Sequence, residues 1–411
     1  MREGWTKATL GAVCDVQSGA GFPENLQGGV GERYPFYKVS DMNLPGNETV
    51  MVAANNSVSE PVRRQLRARV FPPGSILFPK VGGAIFTNKK RLASLECCVD
   101  NNIMGLIPKP EYVGSRYMFY YMHLIDIVDF SNRANPPSIR QTTVEAWPIC
   151  LPRSISEQNR IVAILDEAFE GIGTAVANAE KNLANARELF ESYLQNAFDS
   201  RQGWKKKTLQ QVSLNFGRGK SKHRPRNDPK LYGGPYPFIQ TGEVRNCDHV
   251  ILESTQTYNE AGLAQSKLWP KGTICITIAA NIAETGILGF DACFPDSIIG
   301  MVVDDSETSN DFVEYLLQSI KVQLKAQGKG SAQDNINLAT FEDRRFSFPS
   351  LTRQKEIVGT LNELSGKLQQ LEKIFEQKLF DLSELRQSIL CKAFAGELTT
   401  FPKRVLEEVA A

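Results

Sequence analysis

Two kinds of hydrophobic pattern alternate along the 411 residues. In the first, short apolar or alternating runs such as residues 272–278 (Gly-Thr-Ile-Cys-Ile-Thr-Ile) lie between turn signals. Pro72-Pro73-Gly74 and Gly233-Gly234-Pro235 are two of these. Runs of that length and β-branched content predict strands. Residues 117–130 and 312–324 have helical spacing instead. Each such region, about 150 residues long, therefore predicts a mixed α+β domain.

The second pattern is a long helical seam, and it also occurs twice. Apolar or small residues recur at Leu165, Phe169, Ile172, Val176, Ala179, Leu183, Ala186, Phe190, Tyr193 and Ala197. The steps alternate between four and three, which is a heptad. The second seam runs Leu361, Leu364, Leu368, Leu371, Phe375, Lys378, Leu382, Leu385 and Ile389, with Lys378 its one polar fault. Ser156 and Thr352 are the candidate N-caps, and neither seam contains proline. At 1.5 Å per residue, residues 156–198 predict a helix of roughly 64 Å. Two heptad seams in one chain predict antiparallel pairing with each other. Its contacts are expected from Leu165, Phe169, Ile172, Val176, Leu183 and Phe190 against Leu361, Leu364, Leu368, Leu371, Phe375, Leu382 and Leu385.

The doubling is general. Gly4-Trp5, Thr9-Leu10 and Val13 recur as Gly203-Trp204, Thr208-Leu209 and Val212. Tyr34-Pro35-Phe36 followed by Asp41 recurs as Tyr236-Pro237-Phe238 followed by Glu243. Pro72, Gly74 and Ile76 match Pro270, Gly272 and Ile274; Cys98, Ile103 and Gly105 match Cys293, Ile298 and Gly300. Pro152, Gln158, Ile161-Val162 and Leu165 match Pro349, Gln354, Ile357-Val358 and Leu361. One plan of about 200 residues is written twice. Its expected boundaries are a first domain at 1–151, a helix at 152–200, a second domain at 201–348, a second helix at 349–398 and a tail at 399–411.

Composition is ordinary for a folded protein, with 42% hydrophobic and 23% charged residues, which excludes disordered and collagen-like classes. No apolar run follows residues 1–7, and the most apolar stretch, 117–128, is broken by His123 and Asp126. Neither secretion nor a membrane span is expected. The eight cysteines form no CxxC pair with zinc spacing, so free thiols in a reducing cytoplasm and no metal site are expected.

Catalytic motifs are missing. The three histidines, His123, His223 and His249, lie in no HExxH or nucleophile-elbow context. Gly219-Lys220-Ser221 ends like a phosphate-binding loop, but Leu214 stands where the first glycine is required. No GxGxxG follows a strand. Asn135-Pro136-Pro137-Ser138 resembles the tetrapeptide of adenine amino-methyltransferases, but serine replaces the aromatic residue that stacks on a flipped base. The fragment is read as a loop before a strand.

A net charge of +1 hides a partition. Residues 156–200 hold eight acidic and three basic residues, whereas 201–230 hold ten basic and one acidic. In the first half Arg63, Arg64, Arg67, Arg69, Lys80, Lys89, Lys90 and Arg91 form a comparable set. Basic clusters interleaved with Gly, Asn, Gln and Ser suit phosphate contact and base-edge readout. The candidate DNA-binding residues are Lys80, Asn88, Lys89, Lys90 and Arg91 in the first domain. In the second they are Arg218, Lys220, Lys222, Arg224, Arg226 and Lys329.

These features together resemble the specificity subunit of type I restriction–modification enzymes, along nearly the whole chain. The most telling residues are the two Gly-Trp starts, and Leu151-Pro152, Glu157-Gln158 and Ile161-Val162 before the first seam. Pro349, Gln354 and Ile357-Val358 precede the second, which ends in residues 385–390 and 393–398. Arg353 stands where the first copy has Glu157. The resemblance implies an α+β chain with two pseudo-repeated mixed α/β target-recognition domains separated by two long antiparallel coiled-coil helices. It implies a non-catalytic, cytoplasmic subunit whose domains each read half of a split double-stranded DNA target. The helices would set the spacing and dock methyltransferase subunits, which carry S-adenosylmethionine; this chain would hold no cofactor. A motor–nuclease subunit would complete the complex. The rival readings are a stand-alone adenine-N6 DNA methyltransferase with its own recognition domain, and a coiled-coil scaffold without nucleic acid.

Overall fold

The computed structural model describes residues 4–132, 134–199, 202–223, 225–279, 282–329, 336 and 338–398. The chain forms two compact units, Met1–Ala179 with Glu376–Ala411, and Glu180–Phe375.

Unit 1 carries β1 (Trp5–Thr9), β2 (Cys14–Ser18), β3 (Tyr34–Tyr37), β4 (Val50–Met51), β5 (Ser57–Val58), β6 (Ile76–Pro79), β7 (Arg91–Ala93), β8 (Cys98–Val99), β9 (Ile103–Pro108) and β10 (Pro148–Pro152). They form a five-stranded sheet in the order β2-β9-β6-β7-β4, a three-stranded sheet β5-β3-β8 and the pair β1-β10. Both larger sheets are mixed, because β4–β7 and β3–β8 pair parallel while the other pairs are antiparallel. The central strand β6 is buried throughout, which explains the continuous Ile-Leu-Phe run there.

Unit 2 repeats the design. Its strands are β11 (Lys205–Lys207), β12 (Ser213–Arg218), β13 (Tyr232–Phe238), β14 (Val250–Ile251), β15 (Gln256–Tyr258), β16 (Leu268–Trp269), β17 (Ile274–Thr277), β18 (Thr285–Leu288), β19 (Ala292–Cys293), β20 (Ile298–Val303) and β21 (Phe346–Phe348). The sheets are β12-β20-β17-β18-β14, β15-β13-β19-β16 and β11-β21. Even the extra strand has a counterpart, since the Trp269↔Ala292 pairing of β16 matches the Phe71↔Cys97 bridge of unit 1.

The repeated glycines have steric causes. Gly74 and Gly272 have φ of +83° and +86°, which closes the turn before β6 and β17 at no side-chain cost. A Cβ on Gly105 would lie 2.4 Å from the Phe71 ring, and one on Gly300 would lie 2.6 Å from the Phe294 ring. An aromatic ring packs flush on the strand in both copies.

The two long helices are Ile155–Ala197 and Leu351–Ala395. Their caps differ from expectation by two residues. Ser154 Oγ accepts the N–H of Glu157 and Ser350 Oγ that of Arg353, each at 3.4 Å, so Ser156 and Thr352 already lie inside the helices. The cap must precede the first turn, and the buried glutamine at Gln158 or Gln354 sets where that turn begins.

In unit 1 the first helix contributes Leu165, Ala168, Ile172 and Ala175 to the same core as Leu382, Ile389, Leu390 and Ala393 of the second. In unit 2 the opposite halves come together, with Leu194 in one core with Ile357, Val358 and Leu361. Early residues of one helix thus meet late residues of the other, so the pair is antiparallel.

Candidate nucleic-acid interface

The predicted basic residues divide by what their charge already satisfies. In unit 1 the 3-10 turn Gly82–Thr87 follows β6 and ends at Asn88, whose φ of 51° makes it a left-handed cap. Asn88 Oδ1 accepts from Ile127 N at 3.1 Å and from Lys90 Nζ at 2.6 Å. Lys90 is only 2% exposed, and its Nζ also donates to the Ile125 carbonyl at 2.7 Å. Burial pushes its ammonium down to about 8, against the partial support of Asp126. Lys90 therefore pins a loop from inside, and the structure keeps it from the surface expected of it.

Its neighbours are half committed. Arg91 donates to the carbonyls of Lys90 and Met42, and Lys80 Nζ to Ser18 Oγ at 3.0 Å. Lys89 bonds Asn43. Arg63 is spent on Glu60 and on the Ala68 carbonyl at 2.9 Å, while Arg64, Arg67 and Arg69 stay exposed. Arg63 and Arg64, whose Nε also donates to Glu60 Oε1 at 2.7 Å, hold the Glu60 carboxyl far below the usual carboxylate range.

In unit 2 the basic loop after β12 faces outward. Arg218, Lys220, Lys222 and Arg226 are all exposed. One residue organises two of them: Arg218 Nε donates to the Asp296 carbonyl at 2.8 Å, and Arg226 Nη2 to its carboxylate at 2.5 Å. Lys267, which no sequence signal selected, lies 3.5 Å from the centre of the Trp269 ring. Burial lowers its pKa, and the charge of Lys220 nearby lowers it further. Arg224 lies outside the described residues, and only the backbone of Lys329, in the helix Lys321–Lys329, is described.

Beside Arg226 opens a cavity of about 390 Å³ whose wall includes Tyr232, Phe238, Gln240 and Gln256. The glutamines were absent from the predicted set. The one signal for them was Glu243, matched to Asp41 in the repeat.

The Asn135-Pro136-Pro137-Ser138 fragment is structural. Gly82 N donates to the Pro137 carbonyl, and Val81 bridges Ser138, so the fragment holds the Lys80 loop. The repeat places residues 330–333 near the corresponding point of the second half, and these lie outside the described residues. Among the described residues no cluster of three or more His, Cys, Asp or Glu is placed to hold a metal, and no helix is long and apolar enough to cross a membrane. All eight cysteines are free thiols.

The family model for the type I restriction modification DNA specificity domain matches residues 2–182 and, again, residues 201–379. The chain belongs to that family. One similar relative of this specificity subunit is that of the type I restriction enzyme StySPI from Salmonella potsdam. It is 29% identical over 327 residues, which are 74% of this chain and 69% of the relative. A chain from a structural study of complex assembly and conformational transition in the type I R-M system superposes with a TM-score of 0.78. It shares 17% identity, over 97% of this chain and 99% of that one. The HsdS subunit from Thermoanaerobacter tengcongensis has a TM-score of 0.57 at 18% identity, over 97% and 98%. These two likenesses show a shared fold. As a type I specificity subunit, the chain has its two matched domains where its sequence repeats, which fits recognition of a bipartite target.

Proposed function

We propose that each repeat reads one half of a split DNA sequence, and that the two long helices fix the gap between the halves and seat the methyltransferase subunits. One observation carries this reading: the same three sheets, each set with its own basic loop and its own long helix, occur twice in one chain. DNA is stiff over tens of base pairs, so two readers on a rigid spacer accept half-sites only at a fixed separation. The exposed cations Lys220, Lys222, Arg218 and Arg226 of unit 2, and Arg64, Arg67 and Arg69 of unit 1 with the half-buried Lys89, supply phosphate contacts. Relatives named for the type I R-M system and its complex assembly support DNA and methyltransferase subunits as partners; S-adenosylmethionine in those subunits and a further motor–nuclease subunit belong to the same proposal.

The subunit selects DNA and leaves the chemistry to its partners, in the cytoplasm. Methylome sequencing of a host carrying this chain and its methyltransferase partner tests the proposal. A modified motif in two parts with an invariant gap is expected. A contiguous motif overturns the reading, as does tight S-adenosylmethionine binding by this chain alone.

A further inference from the structure

The two repeats share a polar frame and differ in the side chain it presents. In unit 1, Lys38 follows β3, and its backbone N–H donates to Asp41 Oδ2 at 2.7 Å. Asp41 is buried and braced by Asn55 Nδ2 at 2.6 Å. In unit 2, Gln240 opens the helix Thr241–Asn246, and its N–H donates to Glu243 Oε2 at 3.1 Å. Thr255 Oγ1 braces Glu243 at 2.5 Å. The strand registers Pro35↔Ser57 and Pro237↔Thr257 make Asn55 and Thr255 equivalent, and with them Lys38 and Gln240.

A carboxylate therefore pins the backbone at this position in both copies. What varies is the side chain: an ammonium in one and an amide in the other. Each is steadied by one neighbouring amide, Lys38 Nζ donating to Gln27 Oε1 at 3.0 Å and Gln240 Nε2 to Gln256 Oε1 at 2.9 Å. Lys38 keeps two further N–H donors, although the buried Asp100 lies within its electrostatic reach. The Gln240–Gln256 pair is exposed at the cavity that Arg226 and Tyr232 also line. A fixed backbone, a variable hydrogen-bonding tip and adjacent cations are what base-edge readout requires. A lysine tip suits the O6 and N7 acceptors of guanine, and a glutamine tip the N6 donor and N7 acceptor of adenine.

We propose that Lys38 and Gln240 are one base-reading position used twice, Lys38 reading a guanine in one half-site and Gln240 an adenine in the other. Asp41 and Glu243 are the positioning residues. The inference rests on the two-reader function proposed above, and the wild-type motif tests that function separately.

The test uses the full chain with its methyltransferase partner and the variants Lys38→Gln and Gln240→Lys. Each is expected to alter one base pair in a different half of the methylated motif and to leave the gap unchanged. Both motifs remaining as in the wild type overturns the inference while sparing the two-reader function. Where a variant abolishes methylation, competition with duplexes carrying single base-pair changes decides. Loss of discrimination at one base pair, on the order of ten- to a hundredfold, supports the assignment. Equal weakening for every duplex overturns it.

Discussion

Gln158 and Gln354 attach each long helix to its own domain. Gln158 is fully buried; its Nε2 donates to the carbonyls of Tyr112 and Pro152, and its Oε1 accepts the N–H of Gly114. Gln354 repeats this with the Glu307 and Pro349 carbonyls and Thr308 Oγ1. Alanine at either site leaves buried backbone groups unpartnered, so Gln158→Ala is expected to cost about 2–4 kcal/mol, read by thermal denaturation. The repeat marked both residues, but apart from the Pro152 and Pro349 carbonyls their partners lie 44 to 47 residues away, so their role was hidden. His249 was hidden in the same way, since Asp248 is its neighbour in sequence and not its partner. Its ring makes ion pairs with Asp311 at 3.1 Å and Glu314 at 2.8 Å and stacks on Tyr315. Burial opposes its charge, yet the two carboxylates prevail and raise its pKa to about 10. The folded state thus holds the proton more tightly than the unfolded chain, and that stabilisation is complete below about pH 6.5. The stability of unit 2 should fall as pH rises from about 6.5 to 10, and the fall should flatten in His249→Gln. Equal pH profiles for the two proteins would refute the pairing.

At the scale of elements, heptad spacing made the two helices legible before any fold was known. It did not show how evenly they pack. In unit 1 the seam is built with Ala168 and Ala175 among leucine and isoleucine side chains, and all of them are buried in one core. In unit 2 large residues leave a cavity of about 410 Å³ lined by Ala186, Leu189, Phe190, Tyr193, Leu364, Leu368 and Leu371. Leu371, expected as a pairing residue, remains 40% exposed. A heptad pattern says which side faces a partner; side-chain volume decides whether the space is filled. Inserting seven residues after Ala179 and seven after Phe375 preserves the heptad and adds about 10 Å. If the helices act as the spacer, the gap between half-sites should lengthen by up to about three base pairs, as methylome sequencing would show. An unchanged gap would remove the helices from that role.

For the whole molecule, the duplicated plan predicts independent readers. Replacing residues 1–151 with the corresponding domain of another specificity subunit should change one half of the methylated motif and leave the other half unchanged. A change in both halves would mean the readers are coupled. The repeat, the heptads and the segregation of charge were all legible in the sequence, because each depends on residue type at regular or short spacing. Which cations face outward was decided only by tertiary structure. Lys90 turns inward to Ile125, 35 residues away, whereas Arg218 is aimed by Asp296, 78 residues away. Burial and hydrogen-bond partners are set by residues that folding brings together from distant positions, and no local pattern records them.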